Sequence, residues 1–285
     1  MNINRRDFFK VAAAGASGVA LSAARPLAET STDAGDSVAM LYDATKCVGC
    51  RACQLACKRN ANLPAVTDAA SMYEMPTELS ANTWTLIKLY KGEDGLSFVK
   101  NQCMHCVEPA CASVCPVGAL EKTPEGPVIY HTEKCFGCRY CMAACPFSIP
   151  KYQWDTNTPL VQKCDFCHDR QEEGLPPACA AACPTGALIF GKRADLLQIA
   201  HERIDAQPGK YQPHVYGEKE VGGTAMLYLS HVPFEDLGFP ALDSNSLPKI
   251  TWGYMKMIPG IIVGVGGLLS LIYARTHREK KSQEA

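Results

Sequence analysis

The feature that most constrains this 285-residue chain is its sixteen cysteines, which fall into four groups of four with none left over. The first and third groups share the spacing C-x2-C-x2-C-x3-C, the second widens the middle gap to four residues, and the fourth widens it to eleven. In chain order these quartets one to four are Cys47, Cys50, Cys53 and Cys57; Cys103, Cys106, Cys111 and Cys115; Cys135, Cys138, Cys141 and Cys145; and Cys164, Cys167, Cys179 and Cys183. Such a content indicates a disulfide framework, zinc, haem or iron–sulfur chemistry.

The spacing within the quartets favours iron–sulfur clusters. Three thiolates on a tight loop can each reach a different iron of one [4Fe–4S] cubane, while the fourth, a helical turn further on, points away and ligates the neighbouring cluster of a pair. Soft thiolates suit such clusters. Pro116, Pro146 and Pro184 follow the fourth cysteine of three quartets and help to turn the chain away from the site, whereas Lys58 stands there in quartet one. We therefore predict four [4Fe–4S] clusters.

Disulfides, zinc and haem are the alternatives. Disulfides are common in exported cysteine-rich chains, but cysteines separated by two residues on a tight loop pair badly with one another. Zinc ribbons use C-x2-C pairs, yet repeated runs of four closely spaced cysteines exceed what tetrahedral zinc needs. The segment Cys164–His168 matches the haem-attachment motif C-x-x-C-H, but the same two cysteines complete a quartet that would otherwise be broken.

The N-terminus has the pattern of a twin-arginine export signal. Arg5 and Arg6 precede an apolar, small-residue run from Val11 to Ala24, and we predict a signal peptide over residues 1–28. Cleavage after Ala24 or after Ala28 is left open, and the alternative is a basic amphipathic N-terminus. Twin-arginine export carries folded proteins, which suits a chain that receives metal clusters before it leaves the cytoplasm.

A second membrane signal lies near the C-terminus. Residues 257–274 carry no charge and would rise about 27 Å as a helix, enough to span a bilayer core. Trp252 and Tyr273 flank the run as an aromatic belt would. We predict a transmembrane anchor over 251–275 and, from the positive-inside rule, a basic cytoplasmic tail over 276–285. The remaining domain then lies on the outer, periplasmic face; a buried core helix is the alternative.

Within the predicted span, Gly260 and Gly264 form a G-x-x-x-G step, which lets helix backbones approach closely in lipid. A single span of this kind suggests an anchor that docks on a membrane partner.

The segments between the quartets read as short strands and helices. We predict a hairpin over Gly118–Tyr130, a second with strands Trp84–Tyr90 and Ser97–Lys100, a strand Ala187–Phe190 and a helix Ala194–Ile204. The expected fold is α+β, with two bacterial-type two-cluster ferredoxin units, one inserted in the other, plus one transmembrane helix. The double ferredoxin domain is placed at 38–200, with the inner unit at about 101–150, and a surface-wrapping extension at 201–250.

Several function classes are not expected. The net charge of −1 gives no basic excess that would bind nucleic acid. The sequence has no glycine-rich loop after a predicted strand, so binding of a nucleotide or flavin is not expected. No catalytic residues are predicted. His105, inside Cys103-Met104-His105-Cys106, is interpreted as a solvated loop histidine, with cluster tuning or a partner contact as the alternative; Arg51 and Arg139 are interpreted as charges beside or outside the clusters.

These residues resemble the four-cluster ferredoxin-like subunits of membrane-bound oxidoreductases, such as those of formate dehydrogenase, dimethyl sulfoxide reductase and polysulfide reductase. The resemblance covers about Met40 to Phe190 and is closest to the hydrogenase-2 type subunit. It is carried by Met40-Leu41-Tyr42-Asp43 before Cys47, by Gln102–Cys106, and by Tyr216–Glu220 leading to Gly222-Gly223-Thr224.

The resemblance implies which cysteines share a cluster: the first three of each quartet with the fourth of a partner quartet. The implied sets are Cys47, Cys50, Cys53 and Cys183; Cys57, Cys164, Cys167 and Cys179; Cys103, Cys106, Cys111 and Cys145; and Cys115, Cys135, Cys138 and Cys141.

The function expected from these observations is an electron relay, not an enzyme by itself. Electrons would pass through four [4Fe–4S] clusters between a periplasmic catalytic subunit, a nickel–iron hydrogenase, and a polytopic membrane subunit that binds menaquinone. The same relay serving a molybdopterin oxidoreductase or a multihaem cytochrome is the alternative. A stand-alone redox enzyme or sensor is the third hypothesis, but no spare cysteine exists for an open metal site.

Overall fold

The computed structural model describes residues 36–64, 77–92 and 95–283; the predicted export signal over 1–28 lies outside them. The helices in these residues are α1 Ala52–Asn60, α2 Ala110–Ser113, α3 Tyr140–Ala144, α4 His168–Glu172, α5 Ala178–Ala181, α6 Arg193–Ala206 and α7 Leu247–Gln283. The strands are β1 Val38–Asp43, β2 Thr85–Gly92, β3 Gly95–Gln102, β4 Leu120–Lys122, β5 Val128–Tyr130, β6 Lys151–Tyr152, β7 Val161–Gln162, β8 Leu188–Lys192 and β9 Met226–Leu229. Most elements are short, because the chain turns repeatedly at the cysteine loops.

A three-stranded sheet, in the order β8-β1-β9, forms the centre of the largest core. Strand β1 lies in the middle, antiparallel to β8 and parallel to β9, with Met40 opposite both Phe190 and Met226. Every residue of β1 after Val38 is buried. A strand that is covered on both faces and paired at both edges has its apolar surface removed from water, and this burial stabilises the sheet.

The pairing of β1 with β8 places quartets one and four side by side. Strand β1 leads into Cys47 and β8 follows Cys183, so their antiparallel pairing joins the two loops, and the N–H of Asp43 donates to the carbonyl of Ala187 at 2.7 Å. Strands β4 and β5 repeat this arrangement between quartets two and three. There the N–H of His131 donates to the carbonyl of Ala119 at 2.8 Å.

The two predicted hairpins are confirmed. Strands β2 and β3 pair along their full length, from Thr85 opposite Gln102 to Gly92 opposite Gly95, and β4 pairs with β5 as expected. The β2–β3 hairpin lies against the start of quartet one, because the Tyr42 hydroxyl donates to the carbonyl of Phe98 at 2.7 Å.

The expected surface-wrapping extension over 201–250 differs from the structure in part. All four residues of β9 are buried, and Val215, Tyr216 and Phe234 belong to the same core. The run Met226–Leu229 is apolar at every position, which suits a strand buried on both faces rather than a surface segment. This part of the chain completes the central sheet.

The predicted apolar helix near the C-terminus is confirmed and begins earlier than expected, at Leu247. The stretch Leu247–Thr276 is long and apolar enough to cross a membrane, and its most apolar window has no residue buried against the rest of the chain. A methyl group added at Gly260 or Gly264 would meet no other part of the described chain within 4 Å. The helix starts beside quartet two, where Lys249 and Glu108 form an ion pair at 2.6 Å.

The buried position of β9 predicts a large stability cost for truncating one of its side chains. Leu227→Ala removes a fully buried side chain and should destabilise the protein by about 2–5 kcal/mol. The control, Leu96→Ala, makes the same change at a residue that is 65% exposed and should cost less than about 0.5 kcal/mol. Thermal unfolding of the iron-loaded, detergent-solubilised protein, followed by circular dichroism, compares the two. Equal midpoints would contradict a core role for β9.

Candidate metal centres

Quartets one and three have the same loop geometry. Each follows a three-residue 3-10 turn, Ala44–Lys46 or Thr132–Lys134, and the first cysteine is extended in both. The residue after the second cysteine is left-handed: Arg51 has φ +59° and Arg139 has φ +64°, and each immediately precedes the helix that carries the third cysteine. A left-handed residue at that point reverses the chain, so that the loop cysteines and the helix cysteine face a common centre.

A buried carboxylate holds the turn before quartet one. The Asp43 side chain accepts hydrogen bonds from the Thr45 N–H and hydroxyl, at 3.1 and 2.6 Å, through one oxygen. Its other oxygen accepts from Arg203 at 3.0 Å and from the Tyr211 hydroxyl at 3.1 Å. A buried charge is tolerated when it is paired and hydrogen-bonded in this way. Helix α6 and residues C-terminal to it therefore support the first cysteine loop.

Quartets two and four share a second loop type. Pro109 and Pro177 precede the short helices α2 and α5, each of which carries the third cysteine as its second residue. After the fourth cysteine, Gly118 and Gly186 take positive φ values of +62° and +63°. The same backbone path therefore occurs twice, once in each half of the cysteine region.

The structure brings together the four cysteines of the first implied set. Cys47, Cys50, Cys53 and Cys183 line one cavity. Burial raises the pKa of Cys53 to about 12, and the nearby thiols of Cys179, Cys47 and Cys183 add to the effect.

The second set is also close together. Burial raises the pKa of Cys57, with further increases from Cys179 and Cys167, and it raises the pKa of Cys164, with Cys57 as the largest charged contributor. Helix α1, which carries Cys57, packs against α5, which carries Cys179.

The third and fourth sets involve quartets two and three. Burial raises the pKa of Cys106, followed by the effects of Cys103, Cys111 and Cys145. Burial likewise raises the pKa of Cys141 to about 11, followed by the effects of Cys138, Cys115 and Cys135. Helices α2 and α3 pack together here, as α1 and α5 do in the other half.

Cysteines of neighbouring sets lie in the same buried clusters, which arranges the four sets in a row. Cys179 of the second set lies in one cluster with Cys53 of the first, Cys103 of the third lies with Cys164 of the second, and Cys141 of the fourth lies with Cys111 of the third. The order along the row is therefore first, second, third and fourth set.

The donor chemistry fits iron–sulfur clusters. All sixteen cysteines lie in the described residues and none forms a disulfide. No group of three thiol, imidazole or carboxylate side chains in those residues is placed to hold a single metal ion. A cubane instead needs four thiolates around a larger centre, and iron must displace the protons that buried thiols of raised pKa retain.

Comparison with known proteins agrees with this chemistry. Residues 95–193 match the family described as a 4Fe–4S dicluster domain. The chain is 45% identical over 273 residues to a protein of Nitratidesulfovibrio vulgaris, covering 92% of this chain and 74% of the relative. It is 39% identical over 282 residues to the hydrogenase-2 operon protein HybA of Escherichia coli O157:H7, covering 86% of each. It is also 39% identical over 202 residues to the iron–sulfur subunit of the nitrate-inducible formate dehydrogenase of Escherichia coli K12, covering 68% of each.

The chain belongs to the family of iron–sulfur electron-transfer subunits of oxidoreductase complexes. The resemblance inferred from the cysteine motifs is thereby confirmed.

Backbone amides of the subunit point at cysteine sulfurs. The N–H groups of Gly49, Phe166 and Ala119 lie 3.5, 3.4 and 3.2 Å from the sulfurs of Cys47, Cys164 and Cys115. Burial raises the pKa of Cys183, but hydrogen bonds from backbone and side-chain groups that follow it bring the pKa below its usual value. Hydrogen bonds to the sulfurs stabilise negative charge and influence the potential of a bound cluster.

Lys58 changes the first quartet locally. Helices α2, α3 and α5 end before the fourth cysteine of their quartets, as expected because proline disfavours helical geometry in the residue before it. In quartet one, with Lys58 in place of proline, α1 continues through Cys57 to Asn60. The Lys58 ammonium is buried against the chain and donates to the carbonyl of Pro64 at 2.7 Å.

The interpretation of His105 as a solvated loop histidine is wrong. Its ring is fully buried, lies 4.4 Å from the ring of Phe166, and accepts a hydrogen bond at Nδ1 from the Val128 N–H at 2.9 Å. Burial lowers the pKa of His105 well below its usual value, and the charges of Lys163 and Lys122 lower it further. The neutral ring is a packing element between quartets two and four.

Arg139 lies outside the cysteine sets, as one of the sequence interpretations allowed. Its guanidinium lies over the rings of Tyr152 and Trp154, at 5.4 and 5.2 Å from their centroids. The contact joins the quartet-three loop to the short β6–β7 hairpin.

The segment Tyr216–Thr224, which carried part of the family resemblance, supports quartet two. The Val107 N–H donates to the carbonyl of Gly223 at 3.0 Å, and Arg193 donates to the carbonyls of Gly217, Glu218 and Thr224. Positive φ at Gly217 and Gly223 allows this close approach. The motif therefore braces a cysteine loop from outside the cysteine region.

Sequence reasoning missed three lysines that lie among the cysteines: Lys100, Lys122 and Lys163. Lys100 and Lys163 are buried, and Lys122 is half-buried. Lys163 donates to the carbonyls of Val128 and Cys164, and Lys122 donates to those of Cys106 and Gly126. One signal in the sequence could have pointed to them. Each lysine lies on or beside a short strand next to a quartet, at a position that faces inward.

The tight loop of quartet one gives a test of site geometry. Gly49 has φ +68°, and a methyl group there would overlap the ring of Phe98, so Gly49→Ala should lower iron incorporation by about one cluster per chain. The control, Gly209→Ala, has a similar φ of +83° but open space around it, so it should bind normal amounts of iron. Iron and sulfide analysis of both variants measures the effect; equal iron content would contradict a close-packed loop.

Proposed function

We propose that this subunit relays electrons one at a time through four [4Fe–4S] clusters, each held by one cysteine set. The sets are Cys47, Cys50, Cys53 and Cys183; Cys57, Cys164, Cys167 and Cys179; Cys103, Cys106, Cys111 and Cys145; and Cys115, Cys135, Cys138 and Cys141. The observation that carries the proposal is the row of four adjacent sets, whose cysteines share buried clusters. A row of neighbouring one-electron carriers is what long-range electron transfer requires.

The duplicated architecture supports two ferredoxin units, one inserted in the other, within an α+β fold. In the inner unit, at about 101–150, β4 and β5 pair and α2 packs on α3. In the outer unit, β1 and β8 pair and α1 packs on α5. In both, strand pairing draws the fourth cysteine of one quartet to the first three of another, which favours the proposed sets.

The chain's own residues hold and insulate these centres. The cysteines supply the ligands, loop amides donate hydrogen bonds to sulfur, and burial shields six of the sixteen cysteines from water. When bound, the clusters supply one-electron redox chemistry. No step of bond making or breaking in a substrate is assigned to this subunit.

We further propose that the domain lies on the periplasmic face of the cytoplasmic membrane and that α7 anchors it there. The twin-arginine pattern at Arg5-Arg6 and the basic tail over 276–285 support this topology. A polytopic quinone-binding subunit, with menaquinone as acceptor, is the proposed membrane partner. The exposed face of α7 with Gly260 and Gly264 suits packing against another helix in lipid.

The proposed catalytic partner is a nickel–iron hydrogenase. The hydrogenase-2 operon relative is matched over 86% of this chain at 39% identity, compared with 68% at 39% and 81% at 36% for two formate dehydrogenase relatives. The longer match favours the hydrogenase assignment. A complex of the formate dehydrogenase type, with a molybdopterin catalytic subunit, is the second candidate because one of its relatives is also 39% identical, over the 202 residues that are matched.

The cofactor proposal predicts the iron content and the magnetic behaviour of the subunit. The purified membrane-bound protein should contain about sixteen iron atoms per chain, because each of four cubanes holds four. On reduction, its EPR spectrum should show four-iron clusters whose spins interact, since the cysteine sets are adjacent. Zinc in place of iron, or intact disulfides without iron, would rule out the relay.

The assembly proposal predicts what is purified with the subunit. Detergent-solubilised membranes, captured through a tag on this chain, should yield a nickel–iron catalytic subunit and a polytopic membrane subunit. The variant Arg5→Lys/Arg6→Lys should leave the iron-loaded chain inside the cytoplasm, because the export signal is lost. A molybdopterin subunit in the wild-type complex would select the second candidate, and normal export of the double variant would contradict the topology.

A further inference from the structure

Lys100 is a fully buried cation at an inward position of strand β3. It lines the same cavity as Cys47, Cys50, Cys53 and Cys183. Its ammonium donates to the Thr85 hydroxyl and to the amide oxygen of Gln102, which are both neutral. Within the described residues, no carboxylate is among its hydrogen-bond partners or charged neighbours.

The charges that face Lys100 come from cysteines. Helix α1, which carries Cys53 of the first set and Cys57 of the second, packs against β2, the strand paired with β3. Burial lowers the pKa of Lys100, but negative charge on the sulfurs of Cys179, Cys53, Cys164 and Cys57 more than offsets this and brings the pKa above its ordinary value. Three of these cysteines belong to the second set and Cys53 belongs to the first. A buried charge without a partner is strongly unfavourable, so the cysteine sulfurs are its electrostatic partners.

Lys122 and Lys163 differ from Lys100 in what they contact. Each of them donates to two or more backbone carbonyls and thereby ties loops together. Lys100 donates only to two side chains on the β2–β3 hairpin, and the Gln102 amide in turn contacts the sulfur of Met226 at 2.9 Å. The Lys100 side chain therefore brings a charge to the cysteines without holding a cysteine loop in place.

We propose that Lys100 sets the reduction potentials of the clusters held by the first and second cysteine sets. The inference rests on the proposed function. One-electron reduction makes a thiolate-ligated cluster more negative, and a fixed cation in a low-dielectric interior stabilises that state more than the oxidised state. Lys100 raises the reduction potentials of the first and second clusters. An electron in the row is therefore held more favourably by these two clusters than it would be without the lysine.

The test is a redox titration, followed by EPR, of the intact membrane-bound protein carrying Lys100→Met. Methionine has a similar length and no charge. The equilibrium constant for one-electron reduction of two of the four clusters should fall at least tenfold, which corresponds to about 59 mV. The potentials of the other two clusters should stay unchanged, and they serve as an internal control.

Lys88→Met is the matched control, because Lys88 is an exposed lysine on the neighbouring strand and should leave all four potentials unchanged. Lys100→Arg keeps the charge and should restore the potentials. If Lys100→Met does not retain iron, Gln102→Glu keeps the ammonium, sets a carboxylate against it, and should lower the same two potentials.

Unchanged potentials in an iron-replete sample of Lys100→Met or Gln102→Glu would overturn the assignment of Lys100. That result would leave the relay intact, because the four clusters would still be present. A wild-type protein without iron–sulfur clusters would instead overturn the proposed function, and the two failures are thereby distinguished.

Discussion

The pairing of β1 with β8 is the interaction on which the rest of the structure depends. It joins the segment before quartet one to the segment after quartet four, although the two strands lie at opposite ends of the cysteine region in the sequence. The chain between the two strands, which includes the inner pair of quartets, therefore forms one long loop that is closed by this pairing. Closing so long a loop costs conformational entropy, and the burial of β1 between β8 and β9 offsets that cost.

The cysteine loops themselves have little regular structure, so neighbouring elements must hold them. Asp43 organises the turn before Cys47 through Thr45, Arg203 and Tyr211. The segment Tyr216–Thr224 braces quartet two through Val107 and Arg193. Both supports involve residues after the last cysteine, which explains why the chain continues into the core after quartet four before α7 begins.

Buried charge is the second theme of the structure. Low-dielectric surroundings raise the pKa of most shifted cysteine thiols, and the same surroundings make the buried lysines costly unless negative sulfur lies nearby. When the cysteines bind iron as thiolates, the cost of burying their negative charge and the cost of burying the positive lysines offset each other. Lysines and cysteines are therefore energetically coupled, and loss of the metal would leave the lysines with weaker partners.

The cysteine quartets as metal-binding loops, the apolar C-terminal helix and both hairpins could be predicted from the sequence, because each depends on local contacts or on a short repeat. The family followed from the same motifs. The pairing of β9 with β1, the burial of His105 and the position of Lys100 could not be predicted, because each results from contacts between segments far apart in the chain. A histidine or a lysine in a polar loop sequence looks solvated until another segment covers it. The sequence by itself determined which residues can ligate metal; only the tertiary structure decided which of them lie together and which charges face them, because strand pairing and burial act across the whole chain.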